Sequence, residues 1–270
     1  MTTADAPTLA DVVALLHGWF PPETAEDWDA VGLVLGVPEQ PVRRILFAVD
    51  PVLPVADEAA DWGADLLVTH HPLFLRAVHG VAATTPKGRT LHRLSTAGCG
   101  LLAAHTNADR AADGVSTALA AALGLTDDEP IVPGEGGLGM GRVGAVPATT
   151  LGDFASAVVA ALPATAAGVR VAGDPDRPVR RVAVLGGAGD FLLDHVAGLD
   201  VDAYVTSDLR HHPALEFLEK DGPALLDVPH WAAEWTWLPV VRASVQEALG
   251  DTVDTRVSTL VTDPWDFRRP

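Results

Sequence analysis

One cysteine among 270 residues, Cys99, has no partner for an internal disulfide. A disulfide-stapled scaffold is thereby excluded, and the expectation is a reducing, cytoplasmic setting. Basic side chains are also scarce: 18 Lys and Arg stand against 36 Asp and Glu, for a formal net charge of −18. A surface of that sign repels a phosphate backbone, so non-specific nucleic-acid binding is disfavoured. Excess carboxylates also serve solubility, so they are poor evidence for metal binding on their own. No apolar run reaches the ~18 residues that a membrane span needs. The best stretch, residues 12–20, is short and contains His17. Residues 1–7 carry no Lys or Arg, so a secretory signal is not expected.

What is present is apolar material arranged in two periods. Hydrophobic residues make up 48% of the chain, enough to bury a core, and 270 residues suit two modest α/β domains. Leu9, Val12, Val13, Leu15, Leu16 and Trp19 follow helical spacing after Thr8, a good N-cap, until Pro21 and Pro22 stop the helix. Strands are then expected at 45–49, 66–69 and 101–104, with helices at 55–62, 90–96 and 115–123. This alternation argues for an α/β sheet with parallel neighbours. Glycines cluster over 134–144 beside Pro133 and Pro147 and mark the expected domain transition. The expected division is 1–130 and 131–270, with the C-terminal part packing back on the first domain. Beyond it the pattern predicts helices at 151–162 and 213–220, and strands at 169–172, 182–185, 203–206 and 225–228. A last helical stretch, 232–249, is expected to kink or restart at Pro239. His70-His71-Pro72 and His211-His212-Pro213 form a faint echo, too little to argue a duplication.

Three constellations carry chemistry. In Thr69-His70-His71-Pro72 an apolar strand ends in two adjacent histidines. In a continuing strand their rings point apart, whereas a turn at the strand end lets both converge. Carboxyl ends of parallel strands are where α/β sheets place ligands, and imidazole suits first-row metals. Ordinary loop histidines are the alternative. His105-Thr106-Asn107-Ala108-Asp109 again follows an apolar strand. Asp109 offers a hard carboxylate ligand or a helix cap, and His105 a ligand, a supporting residue or a general acid. In Pro229-His230-Trp231-Ala232-Ala233-Glu234, proline fits a first helical turn, so His230 and Glu234 share one face. A carboxylate there can bridge two cations, and a solvent-facing pair is the alternative. Gly186-Gly187-Ala188-Gly189 resembles a phosphate loop, but Leu192 replaces the third glycine of a dinucleotide fingerprint. A close backbone turn is the better reading. Asp208 and His212 are further candidates for the same cleft. No Gly-x-Ser-x-Gly elbow is present.

Together these residues resemble the Nif-three-like family of dinuclear metal-centre proteins, many of them labelled GTP cyclohydrolase type 2 homologues. The resemblance rests on Trp28-Asp29-Ala30-Val31-Gly32-Leu33, Thr69-His70-His71-Pro72-Leu73, His105-Thr106-Asn107-Ala108-Asp109, Thr206-Ser207-Asp208 with His212, and the segment from Asp227 to Glu234. It implies two interlocked α/β domains with mixed, largely parallel sheets, in the compact form without a large central insertion. It implies two divalent ions, one on His71, Asp109 and Glu234, the other on His70, His230 and the shared Glu234. Zinc, iron and manganese all suit such ligands. It also implies a toroidal homo-hexamer. Ala30, Ser207, Val228-Pro229 and Trp231 depart from the family's usual residues, and none is a proposed ligand.

Two functional classes follow. The first is a metal-dependent hydrolase acting on a small molecule such as a purine nucleotide, with a metal-bridging water and with His105 or His212 shuttling the proton. The second is a non-enzymatic metal-binding regulatory or scaffold protein. A Rossmann-type nucleotide binder ranks last, because it rests only on Gly186–Gly189.

Overall fold

The computed structural model describes residues 6–135 and 138–269. In chain order the elements begin α1 (Leu9–Trp19), β1 (Gly32–Leu35), β2 (Arg44–Ala48), α2 (Leu53–Trp62), β3 (Leu66–Thr69), α3 (Pro86–Thr96), β4 (Gly100–Ala103) and α4 (Thr106–Arg110). They continue with α5 (Val115–Ala122), β5 (Thr126–Glu129), β6 (Val132–Pro133), β7 (Gly139–Met140), β8 (Arg142–Thr150), α6 (Leu151–Ala161) and β9 (Arg170–Ala172). Then come β10 (Pro178–Ala188), α7 (Leu193–Val196), β11 (Ala203–Ser207), α8 (His211–Leu218) and β12 (Ala224–Asp227). The series ends with α9 (His230–Trp235), α10 (Trp237–Leu249) and β13 (Asp254–Val257). The chain divides into two compact units. One runs to Ala108 and takes in Leu238–Thr262; the other runs Asp109–Trp237 and takes in the residues from Asp263 onward.

The first unit is built on a five-stranded sheet of order β1-β4-β3-β2-β13. Four of its strands are parallel and β1 alone pairs antiparallel, on β4. Strands β3 and β4 are buried at every residue, as the unbroken apolar runs of an interior parallel sheet require. Leu46, Leu67 and Leu101 from the strands pack with Val55, Ala56 and Ala59 of α2 and Leu94 of α3. Register then does the positioning. Thr69 is paired with Ala48 on one side and Ala103 on the other, so three carboxyl ends finish side by side. Asp50, His70, His71 and His105 follow directly from those ends. Because β1 runs the other way, with Gly32 opposite Ala103, the residues before it reach the same edge. Those residues are Trp28 and Asp29.

The second unit holds a six-stranded sheet of order β5-β8-β10-β11-β12-β9, plus the small ribbon β6-β7. Here β10, β11 and β12 are parallel, while β5, β8 and β9 pair antiparallel. Parallel pairing therefore dominates the first sheet and only the centre of the second. Tyr204, Leu185, Leu225, Val196 and Phe217 form its core. The helical stretch after β12 breaks between Trp235 and Trp237 rather than at Pro239. Pro239 lies in the first turn of α10, where its missing N–H has no intrahelical partner to lose.

The units repeat one plan. Pro41-Val42-Arg43-Arg44 recurs as Pro178-Val179-Arg180-Arg181. The Asp65 carboxylate accepts from the amides of Arg43 and Arg44 at 2.7 and 2.9 Å, and Asp202 accepts from Arg180 and Arg181 at the same distances. Each unit then runs strand–helix–strand–helix–strand, and each third strand leads to a histidine with a carboxylate at i+4. These pairs are His105 with Asp109 and His230 with Glu234. The repeat lies in the backbone-capping aspartates and strand ends, not in the His-His-Pro tripeptide. His70 follows β3 directly, whereas His211 opens α8.

Candidate functional site

In the first unit, His70, His71 and His105 each offer a ring nitrogen, and these atoms lie within 4.8 Å of one another. Ring centroids are separated by 5.1, 5.1 and 5.4 Å. The backbone explains why adjacent histidines converge. The His70 and His71 amides still donate to Ala48 and Val49 oxygens, at 3.1 and 2.9 Å, prolonging the ladder past β3. The Thr69 hydroxyl then donates to the His71 carbonyl at 2.8 Å and helps turn the chain. Each imidazole is also oriented through Nδ1. His70 meets the Ala104 carbonyl at 2.9 Å, His71 meets Asp50 at 2.7 Å and His105 meets Asp29 at 2.8 Å. A carbonyl only accepts, so His70 Nδ1 carries a proton and donates to it. A carboxylate favours the same tautomer in the other two rings. This is how a protein presents imidazole nitrogens to a cation.

Two carboxylates outside the expected ligand set do the orienting. Asp50 also accepts from the Thr262 hydroxyl. Asp29 has a side chain 0% exposed, against 13% for His105. It accepts from His105, from the amide and hydroxyl of Thr106, and from the Ala30 amide. Burial works against its charge, but the bonds from His105 and Thr106 outweigh burial and hold the carboxyl well below the usual range. Trp28 packs its ring edge-on to His105, with centroids 5.9 Å apart.

In the second unit, His230 and Glu234 occupy successive turns of α9. His230 Nε2 lies 2.7 Å from Glu234 Oε1, and its Nδ1 lies 2.8 Å from Asp208. The Glu234 side chain is nearly buried. Burial disfavours the imidazolium, yet the flanking carboxylates of Glu234 and Asp208 prevail and push His230 up to about 11. The His230 bond in turn lowers Asp208, against burial. Asp208 follows β11 in a left-handed conformation, φ 55°. The glycine run serves close approach, as the turn reading expects. Gly187 has φ +80°, and a Cβ there would lie 2.9 Å from Glu234 Oε1. A Cβ on Gly186 would strike Val115, and one on Gly189 would strike Thr206 and Tyr204.

The remaining expected site residues sit as follows. Asp109 is half-buried in α4, and His212 is exposed in the first turn of α8, edge-on to His211 at 5.2 Å. Asp29 and Asp50 are not among the expected ligands or catalytic residues, and Asp208 is expected only as a further candidate for the cleft. Their one shared signal was a carboxylate placed just beyond, or just before, a strand.

These histidine motifs and this topology have known counterparts. Residues 7–264 match the Duf34/NIF3 (NGG1p interacting factor 3) family. The chain belongs to that family. A Streptomyces coelicolor member named GTP cyclohydrolase 1 type 2 homolog is 51% identical, over 96% of this chain and 94% of its own. A Mycobacterium tuberculosis member of the same name is 36% identical, covering 96% of this chain and 97% of its own. That alignment spans 368 positions, more than the 270 residues here, so the mycobacterial NIF3 protein carries an insertion this chain lacks. Among solved structures, a Bacillus cereus protein related to NIF3 superposes with a TM-score of 0.90 at 25% identity, covering 98% of this chain and 100% of its own. A Staphylococcus aureus hypothetical protein gives 0.89 at 27% identity, covering 98% and 100%. Among the described residues no helix is long and apolar enough to cross a membrane.

Proposed function

We propose that this chain binds two divalent metal ions through His70, His71, Asp109, His230 and Glu234, and that it is a metal-dependent hydrolase. The observation that carries the reading is the histidine cluster, whose rings are tied at Nδ1 to oxygen acceptors and each offer a ring nitrogen within 4.8 Å of the others. The donor set fits the group, because imidazole with carboxylate suits zinc, iron or manganese. Glu234 is the shared ligand, and the Gly187 backbone leaves it room. Bound ions of this kind supply Lewis acidity and bring the pKa of water toward neutrality.

The chain's own residues do the rest. Asp29 holds His105 in one tautomer at the cluster, where it can take a proton and return it. His212 is the second candidate for that role. The names of the relatives point to a purine nucleotide, and the fitting reaction is hydrolysis of a ring C–N bond. Water adds across that bond, with oxygen going to carbon and the proton to nitrogen. The same resemblance supports a cytoplasmic homo-hexamer. A second reading, a non-enzymatic metal-binding scaffold, draws on the exposed Trp265 and Phe267.

Elemental mass spectrometry of wild type and Glu234→Ala tests the metal reading. Two equivalents per chain, with a clear loss in the variant, are expected. No metal after reloading would sink both readings. Metal-dependent turnover of a nucleotide and cyclic-amide panel then separates hydrolase from scaffold.

A further inference from the structure

We propose that the indole of Trp28 is a stacking platform for the flat base of a purine nucleoside phosphate at the histidine cluster. The inference rests on the hydrolase reading above and names the residue that holds the ring of its substrate.

Trp28 is 58% exposed, yet the backbone around it is fastened. Asp29, the next residue, has no exposed side-chain surface and is held by His105, Thr106 and Ala30. The Asp29 amide donates to the Glu26 carbonyl at 2.9 Å, and the Glu26 amide donates to the Thr106 hydroxyl at 2.9 Å. The turn is thus stapled to the start of α4 on both sides of the tryptophan. Its indole forgoes much of the burial that a large aromatic ring ordinarily gains. A rigidly mounted, open indole beside His105 of the cluster fits a surface kept for a ring. It stands at 78° to His105, so a flat group lying on it is inclined to that imidazole by about the same angle. Aromatic stacking accepts any base, because every base has a π-face.

Charge adds that the ligand is an anion. In a chain of net charge −18, the segment between Asp65 and Asp109 contains no carboxylate at all. It supplies all three clustered histidines and the exposed Arg76, Lys87 and Arg89. A phosphate arriving there meets no like charge from that segment, and the carboxylates beside the cluster, Asp29 and Asp50, are each bonded to a histidine Nδ1.

The test is calorimetric titration of wild type, Trp28→Ala and Trp28→Phe with GMP and with ribose 5-phosphate, both as purified and after metal loading. Metal content and circular dichroism are read in parallel. GMP affinity should fall about tenfold or more in Trp28→Ala, the usual worth of one stacked base. Trp28→Phe should retain most of it. Ribose 5-phosphate affinity and metal content should not change. Equal GMP affinity in Trp28→Ala, equal losses for both ligands, or no GMP binding by wild type would each overturn the proposal. Loss of metal from the wild type would count against the hydrolase reading instead, and the as-purified titrations still judge the stacking contact.

Discussion

Replacing Gly187 by alanine tests whether Glu234 must sit where the structure puts it. Two costs are separable. The backbone at Gly187 has φ +80°, a left-handed conformation that disfavours any Cβ by about 1–2 kcal/mol. The second cost is steric. The new Cβ would lie 2.9 Å from Glu234 Oε1, so the carboxylate has to move. It is nearly buried and bonded to His230 at 2.7 Å, and loosening a charged hydrogen bond costs about 1.5–3 kcal/mol. Gly124 provides the control. Its φ is +74° and a Cβ added there would meet nothing within 4 Å, so Gly124→Ala bears the backbone cost alone. Gly187→Ala should therefore be the less stable variant by about 2 kcal/mol, or several degrees in Tm at this chain size. It should also bind metal at least about tenfold more weakly, as displaced supporting contacts usually do. Gly124→Ala should bind like wild type. Thermal unfolding by circular dichroism and metal titration read the two effects. Equal Tm in both variants, with full metal affinity in Gly187→Ala, would refute the assignment of Glu234.

Two further outcomes follow from burial. Asp29→Asn keeps the shape but removes the charge that orients His105, and should cost about 2 kcal/mol in urea unfolding at pH 7. Because the folded carboxyl is held below the usual range, its stabilisation is full above about pH 4 and declines as pH falls toward the folded value. The gap between wild type and Asp29→Asn should accordingly narrow in acid, and a gap that widens would contradict the sign. Burial pushes the Cys99 thiol up to about 12, so a disulfide reagent should label it only on unfolding. Rapid labelling of the native chain would show that β4 is less protected than its burial implies.

How far the sequence alone reaches can be judged element by element. Strands β3, β4 and β11 are mostly apolar and buried at every residue, so composition marks them as interior parallel strands. Strand β5 is Thr-Asp-Asp-Glu, exposed throughout, and exists because β8 pairs with it; no local propensity announces it. Strand β13, Asp-Thr-Arg-Val at the edge of the first sheet, is as weakly announced. The site divides along the same line. Histidines at the ends of apolar strands are legible because imidazoles are scarce and the strand is obvious. Asp29 is not, because one carboxylate ahead of an edge strand looks like any loop acid. Only the antiparallel sense of β1 carries it to the end of the sheet where β3 and β4 deliver their histidines. The repeat stayed hidden for a related reason. Asp65 and Asp202 cap paired backbone amides, a task that fixes one side chain and leaves its neighbours free to vary. A histidine with a carboxylate four residues later thus follows the third parallel strand in both halves of the chain, although only His230 and Glu234 are hydrogen-bonded to each other among the contacts described. The first unit surrounds that histidine with imidazoles and the second with carboxylates.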